Sequence, residues 1–359
     1  MTYEAVLQLE PYQVDRVSKK EMFTKELLRM TEFHIENCPQ YARMMRAIGF
    51  NPALADNYES IPFLPVRLFK ELELCSVQKE DVYKIMTSSG TSGQQVSKIY
   101  LDKATAANQQ KTLAKIFSNI AGGMRMPMII VDCPSVLKNR NMFSARGAGI
   151  LGFSIFARKK IYALNDDMEL QIDAIQKFLE EYKGEKVLLF GFTFMVWQHF
   201  YKALKQSGRR LELGNAILIH GGGWKKMVLE AVTPEAFNSA LRDLCGIPQV
   251  VNYYGMVEQT GCIYIECEEG HLHASTYSDV IIRRGGDFSV ATDGERGIIQ
   301  VVSLLPWSYP GHSLLTEDEG VLLGEDNCPC GRKGKYFKVL GRLKNAEIRG
   351  CSDTYATKF

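Results

Sequence analysis

The chain has 359 residues, with 43 Lys and Arg against 41 Asp and Glu, so its formal charge is +2. That near-neutral balance excludes a protein that holds nucleic acid through a basic tail, and 46% apolar with 23% charged residues is an ordinary globular composition. Nine cysteines, an odd number thinly spread, argue against a disulfide framework and for a reducing compartment.

The opening residues mix Glu4, Glu10, Asp15 and Arg16 with apolar side chains, which is not the pattern of a secretory leader. The longest apolar runs, Met126 to Val131 and Val187 to Trp197, fall well short of the ~18 residues of a membrane helix. A cytoplasmic protein with no membrane span is expected.

From Lys19 to Ile48, apolar residues at helical spacing (Phe23, Leu27, Leu28, Met30, Phe33) predict a helical opening, which the prolines and polar residues of 51–65 interrupt. From Val82 onward short β-rich runs alternate with amphipathic helices. Strands are expected over 82–86 and 98–101, a helix over 103–120 and a strand over 127–131. Then come a helix over 168–182, a strand over 186–190, a helix over 194–206 and a strand over 215–219. This alternation implies an α/β core with a substantially parallel sheet. Beyond Gln249 the helices largely stop, and 263–266, 279–283, 297–304, 320–323 and 337–340 read as short strands joined by turns such as Asp293-Gly294. The expected division is a helical segment over 1–80, an α/β core over 81–250, a β-rich subdomain over 251–340 and a short tail over 341–359.

The most informative stretch is Thr87-Ser88-Ser89-Gly90-Thr91-Ser92-Gly93, followed by Lys98. Hydroxyls and glycine-freed amides donate to phosphate oxygens and an ammonium offsets their charge, so the stretch suits a polyphosphate; it equally suits a polar hairpin loop. It is not a Walker A loop, because that motif opens a helix and this stretch lies between two predicted strands. Further along stand His220-Gly221-Gly222-Gly223-Trp224-Lys225 after a strand, Tyr253-Tyr254-Gly255-Met256-Val257-Glu258, Leu314 to Gly320 with Asp318 within it, and Gly341-Arg342-Leu343-Lys344. Each alone is weak, since a glycine triplet is usually only a turn.

In this order the motifs resemble the adenylate-forming superfamily of acyl-, aryl- and aminoacyl-activating enzymes. The resemblance implies an α/β fold like that superfamily's N-terminal domain, with a β-rich subdomain, and makes 81–250 a nucleotide-binding core. It makes Thr87 to Gly93 and Lys98 the phosphate loop, and Gly221, Gly222 and Gly223 the turn against adenine. It places Tyr253, Tyr254 and Gly255 beside the base, Glu258 on Mg²⁺, Asp318 on the ribose hydroxyls, and Arg342 in a hinge. Adenylation has a carboxylate attack the α-phosphorus of ATP, so the site must gather anions and compensate them; Lys98, Lys225 and a Mg²⁺ held by Glu258 are the available cations.

After Gly350 only nine residues remain, so the full C-terminal domain that normally follows, with its catalytic lysine, is expected to be missing. Lys225 is the candidate replacement. The phosphate loop, the Gly-Gly-Gly-Trp-Lys turn and the ending of basic residues before Gly-Cys resemble the acyl-protein synthetase component of the bacterial luminescence fatty acid reductase complex. In that family a cysteine near the C-terminus takes the acyl group from the adenylate as a thioester and hands it to a reductase. The matching residue is Cys351, whose basic neighbours Arg349 and Lys344 favour thiolate.

Cys267, then Gly270-His271-Leu272-His273, and Cys328-Pro329-Cys330 resemble instead phenylacetate-CoA ligases, some of which hold a structural zinc. The resemblance gives Cys267, His273, Cys328 and Cys330 as ligands of a closed Cys₃His site, with His273 preferred to His271 by its spacing and Cys262 a possible substitute. Leu189 to Trp197, with Phe190, Phe192 and Phe194, falls where the superfamily walls its acyl pocket, although aromatic residues so spaced are more often core.

The expected function is ATP-dependent activation of a carboxylic acid, most simply a fatty acid, through acyl-AMP, followed by transfer to Cys351. ATP, Mg²⁺ and a structural Zn²⁺ are the expected cofactors, and an acyl-CoA reductase-like protein or an acyl carrier the expected partner. The rivals are a phenylacetate-CoA ligase-like enzyme, with coenzyme A or a carrier protein as acceptor, and a non-catalytic nucleotide-binding subunit of a reductase.

Overall fold

The computed structural model describes residues 3–88, 95–138, 145–224 and 230–343. Its strands, in chain order, are β1 (Leu64–Pro65), β2 (Lys84–Thr87), β3 (Lys98–Leu101), β4 (Met126–Val131), β5 (Ala157–Tyr162), β6 (Val187–Phe192) and β7 (Ala216–Gly221). There follow β8 (Gln249–Tyr254), β9 (Tyr264–Glu266), β10 (Leu272–His273), β11 (Ser278–Arg283), β12 (Arg296–Ser303), β13 (Ser313–Glu325) and β14 (Lys335–Arg342). The chain divides into two compact units, each discontinuous: the first takes 3–88, 95–120 and 255–343, and the second takes the described residues between 121 and 254.

In the first unit the helix Arg16–Asn37 begins where Asp15 accepts from the amides of Val17 and Ser18. The helical opening expected over 19–48 is built of two helices: Pro39 starts Pro39–Ala47, and Cys38 before it is held in the extended conformation that a following proline favours. The helix Lys103–Ala121 belongs to this unit, whereas the sequence grouped it with the α/β core. The sheet runs β11-β12-β13-β14-β10-β9, antiparallel throughout, with β1 added in parallel to β13. β13 is far longer than the expected 320–323, because β12 pairs with it between Ser313 and Val321 and β14 between Asp318 and Glu325, with register shifts where the two pairings overlap. A buried network ties the first helix to this sheet: Lys19 and Lys335 both reach Asp279, at 3.3 Å each, and the Tyr58 hydroxyl donates to the same carboxylate. Burial alone raises the Asp279 pKa, but the two ammonium groups outweigh it and hold the carboxyl below its ordinary range.

In the second unit five parallel strands stand in the order β5-β4-β6-β7-β8. Numbered within the unit that order is 2-1-3-4-5, a doubly wound sheet whose direction of winding changes between β4 and β6. Leu189, Val131 and Leu218 pack on one side with Trp197, Phe200, Phe237 and Leu241. The alternate residue Phe190 stacks on Phe153 from the helix Ala145–Ser154, with centroids 4.5 Å apart. The helix Pro234–Cys245, which hydrophobic patterning did not single out, has clear end signals in Thr233 as cap, Pro234 in its first turn and Gly246 in the left-handed conformation after it. Among the described residues no helix is long and apolar enough to cross a membrane.

Candidate active site and thiol cluster

In the second unit the expected adenine turn lies where the rule for open parallel sheets places ligands, past the carboxyl ends of the strands. Phe192, Gly221 and Tyr253 are register partners on β6, β7 and β8. A Cβ on Gly221 would stand 2.6 Å from the Tyr253 ring, so glycine is what lets the tyrosine lie against the strand end. Gly222 takes φ +80°, a left-handed backbone in which side chains are rare, whereas a Cβ on Gly223 would meet nothing within 4 Å.

Both ends of the glycine turn are tied to the same helix. The His220 ring lies 4.7 Å from that of Phe237, and Trp224 stands edge-on to Phe237 at 6.1 Å. The Thr193 hydroxyl sits 2.9 Å from His220 Nδ1 and donates to the Gly221 carbonyl at 3.2 Å. Burial pushes the His220 pKa down to about 3, so the imidazole that pins the turn is neutral. The positioning roles of Thr193, His220 and Phe237 were not read from the sequence; for His220 the signal was its place at the end of the apolar run Ile217-Leu218-Ile219. Within Leu189 to Trp197, Leu189 and Trp197 are core, while Phe190 and Phe192 face Gly149, where an added Cβ would lie 3.2 and 3.3 Å from their rings.

In the first unit β2 and β3 form the antiparallel hairpin expected around the phosphate loop, with Thr87 opposite Lys98. Ser88 N donates to the Ser97 carbonyl at 3.2 Å, and Ser97 N returns a bond to Ser88 Oγ at 2.9 Å, closing the stem. Ser89, Gly90, Thr91, Ser92 and Gly93 lie outside the described residues, as do Lys225, Lys344 and Cys351. Glu258 is buried in a short turn fixed from two sides: Tyr309 donates to its carbonyl at 2.8 Å, and Gln259 Nε2 donates to the carbonyls of Val301 and Gly311. Gly255 precedes that turn, and Tyr254 ends β8. Two other expected residues meet directly, since Asp318 and Arg342 are cross-strand partners with Nε 3.6 Å from Oδ1.

The same unit gathers Cys267, His273, Cys328 and Cys330, whose donor atoms all lie within 4.8 Å of one another. Two tight turns present them. Gly270 N donates to the Cys267 carbonyl and Gly331 N to the Cys328 carbonyl, each at 3.0 Å, with both glycines in the left-handed region. Cys267 Sγ is 4.0 Å from Cys328 Sγ, and Cys330 Sγ is 3.4 Å from His273 Nε2. Sulfurs on a tetrahedral zinc stand about 3.8 Å apart, so the donor set and its spacing fit that ion. Burial raises the Cys328 pKa to about 12 and lowers that of His273 to about 3; thiolates there call for a bound cation. His271 is also at the cluster, with Nδ1 3.3 Å from Cys328 Sγ. Cys262 is elsewhere, donating to the Tyr277 carbonyl and accepting from Ser303.

The fold is that of the adenylate-forming ligases. The chain superposes on a 2-hydroxyisobutyryl-CoA ligase, solved in an open conformation with 2-HIB-AMP and CoA, with a TM-score of 0.71, over 93% of this chain and 72% of that one, at 14% identity. A second structure of that ligase, in the postadenylation state with 2-HIB-AMP, gives 0.71 over 92% and 69% at 15% identity. The family model for the acyl-protein synthetases, LuxE, matches residues 2–359, and the chain belongs to that family. Two long-chain-fatty-acid–luciferin-component ligases are similar along nearly their whole length. The one from Vibrio harveyi is 20% identical over 97% of this chain and 91% of its own, and the one from Aliivibrio fischeri 21% over 97% and 92%.

Proposed function

We propose that this protein activates a carboxylic acid, a fatty acid by its family, as the acyl adenylate and then carries the acyl group on its own cysteine. The observation that carries this reading is the family match over residues 2–359. In the first step a carboxylate oxygen attacks the α-phosphorus of ATP, and pyrophosphate leaves with the electrons of the broken P–O bond. In the second the Cys351 thiolate, its proton given to solvent, attacks the acyl carbon, and AMP leaves with the electrons of the C–O bond.

The residue roles are ours. Gly221 to Gly223 with Tyr253, Tyr254 and Gly255 receive the adenine, and the Phe192, Gly221 and Tyr253 register at the strand ends supports this. Asp318 takes the ribose hydroxyls, and Arg342 orients that carboxylate from the neighbouring strand. The 87–93 loop donates to the phosphates, and Lys98 with Lys225 balances the charge that gathers as the carboxylate approaches. Glu258 would hold Mg²⁺, which when bound withdraws charge from phosphate oxygens. Cys267, His273, Cys328 and Cys330 hold zinc in a structural role, because four protein donors leave no position for a substrate. The acyl group then passes to a reductase-like protein or a carrier. None of the eight described cysteines is in a disulfide, which supports a cytoplasmic setting.

Acid-dependent exchange of labelled pyrophosphate into ATP tests the first step. Exchange in both the wild type and Cys351→Ser, with a loss of about 100-fold in Lys98→Ala, is expected; no exchange with any acid of a chain-length series would overturn the reading.

A further inference from the structure

The four residues Ser308 to Gly311 bond to two elements that the proposed chemistry needs together. The Ser308 hydroxyl donates to the Tyr100 carbonyl at 2.8 Å, and Tyr100 stands on β3, the strand that begins with Lys98 and pairs with β2. One residue on, the Tyr309 hydroxyl donates to the Glu258 carbonyl at 2.8 Å, and the Gly311 carbonyl accepts from Gln259 Nε2 at 2.8 Å. Pro310 restricts the backbone between these contacts. Ser308 and Tyr309 are fully buried, and the Tyr309 ring stands edge-on to Phe69 at 6.0 Å. A Cβ added to Gly311 would overlap that ring and stand 3.2 Å from the Glu258 carbonyl oxygen, so glycine is what lets the segment close on the turn. All of these residues belong to the first unit.

Mg²⁺ takes its oxygen ligands at about 2.0–2.1 Å and demands near-ideal octahedral geometry. A carboxylate that shares the ion with a phosphate must therefore be held at a set distance from the loop that holds the phosphate. Resting on the readings of Glu258 as the Mg²⁺ ligand and of residues 87–93 as the phosphate loop, we propose that residues 308–311 are the brace that sets this distance, with Tyr309 its positioning residue. Tyr309 acts through the main chain of Glu258. Without the hydroxyl, the buried carbonyl loses that donor and the turn over 257–259 is held on one side fewer.

Tyr309→Phe keeps the ring and removes the donor. Mn²⁺ is the probe, titrated into the full-length protein with ATP and no carboxylic acid and followed by water proton relaxation, so that no turnover enters. The Mn²⁺ dissociation constant should rise about 10-fold in Tyr309→Phe and at least as far in Glu258→Gln. Tyr277→Phe removes another buried hydroxyl, one that donates to the Leu9 carbonyl at 2.7 Å, and should bind Mn²⁺ as the wild type does. Binding of ATP in the presence of a chelator should be the same in Tyr309→Phe and the wild type. Wild-type Mn²⁺ affinity in Tyr309→Phe, or an equal loss in Tyr277→Phe, would overturn the role of Tyr309 and, with Glu258→Gln still weakened, leave the Glu258 reading standing. Wild-type affinity in Glu258→Gln would overturn that reading and the brace with it.

Discussion

Gly221 and Tyr253 are register partners on β7 and β8, and a methyl group on Gly221 would lie 2.6 Å from the tyrosine ring and 2.7 Å from its carbonyl oxygen. Gly221→Ala must therefore move backbone or ring, at about 1–3 kcal/mol. We expect KM for ATP in pyrophosphate exchange to rise at least tenfold. Gly214→Ala, whose Cβ meets nothing within 4 Å and which lies outside the turn, serves as the control and should change KM little.

The Asp318 and Arg342 ion pair is partly exposed, with side chains 18% and 38% accessible, and such pairs contribute about 0–1 kcal/mol to stability. Asp318→Asn should unfold at nearly the wild-type denaturant midpoint and yet raise KM for ATP by one to two orders of magnitude, since a charge-assisted bond to a ribose hydroxyl contributes about 1.5–3 kcal/mol. A large stability loss with unchanged KM would assign the pair to the fold alone.

Asp279 pairs with both Lys19 and Lys335, and all three side chains are buried. Asp279→Asn removes the charge that pairs with Lys19 and leaves Lys335 its other pair with Glu59, at 3.1 Å; stripping a buried ammonium of its partner costs about 3–5 kcal/mol. Urea unfolding should show a midpoint lowered accordingly.

Three buried imidazoles outside the thiol cluster contribute to the acid side of the stability profile. Burial holds His220 and His312 down to about 3 and His34 well below its ordinary value, with His34 and His312 stacked at 5.0 Å. Each takes a proton readily only when unfolded, near pH 6.5. Their contribution is therefore complete above about pH 6.5 and is lost as pH falls from there towards 3, by up to tenfold in the folding equilibrium per pH unit and per histidine. Denaturant unfolding at pH 7 and pH 5 should show the loss, and His312→Leu should flatten the slope by about one proton.

The residues that announced themselves in the sequence were those whose neighbours in the chain share their task. The hairpin of β2 and β3 was legible because polar residues stand between two short apolar runs, and both strands fall within two residues of expectation. The Cys-Pro-Cys turn was legible for the same reason. What escaped was long-range: Tyr12 meets His273, and Lys19 meets Asp279, pairs separated by some 260 residues of chain, and no local pattern carries such a meeting. The helix Lys103–Ala121 was legible as an element, but its membership of the first unit was not, because Tyr3 and Glu10 bond Thr112 and Lys115 across separations of 109 and 105 residues.

The most direct measurement of the central claim is the intact mass of the protein after incubation with ATP, Mg²⁺ and a fatty acid series, for the wild type and Cys351→Ser. An acyl-sized increment, labile to hydroxylamine and present only in the wild type, is the predicted result. AMP release with no increment on either protein would contradict acyl transfer to Cys351 while leaving adenylation in place.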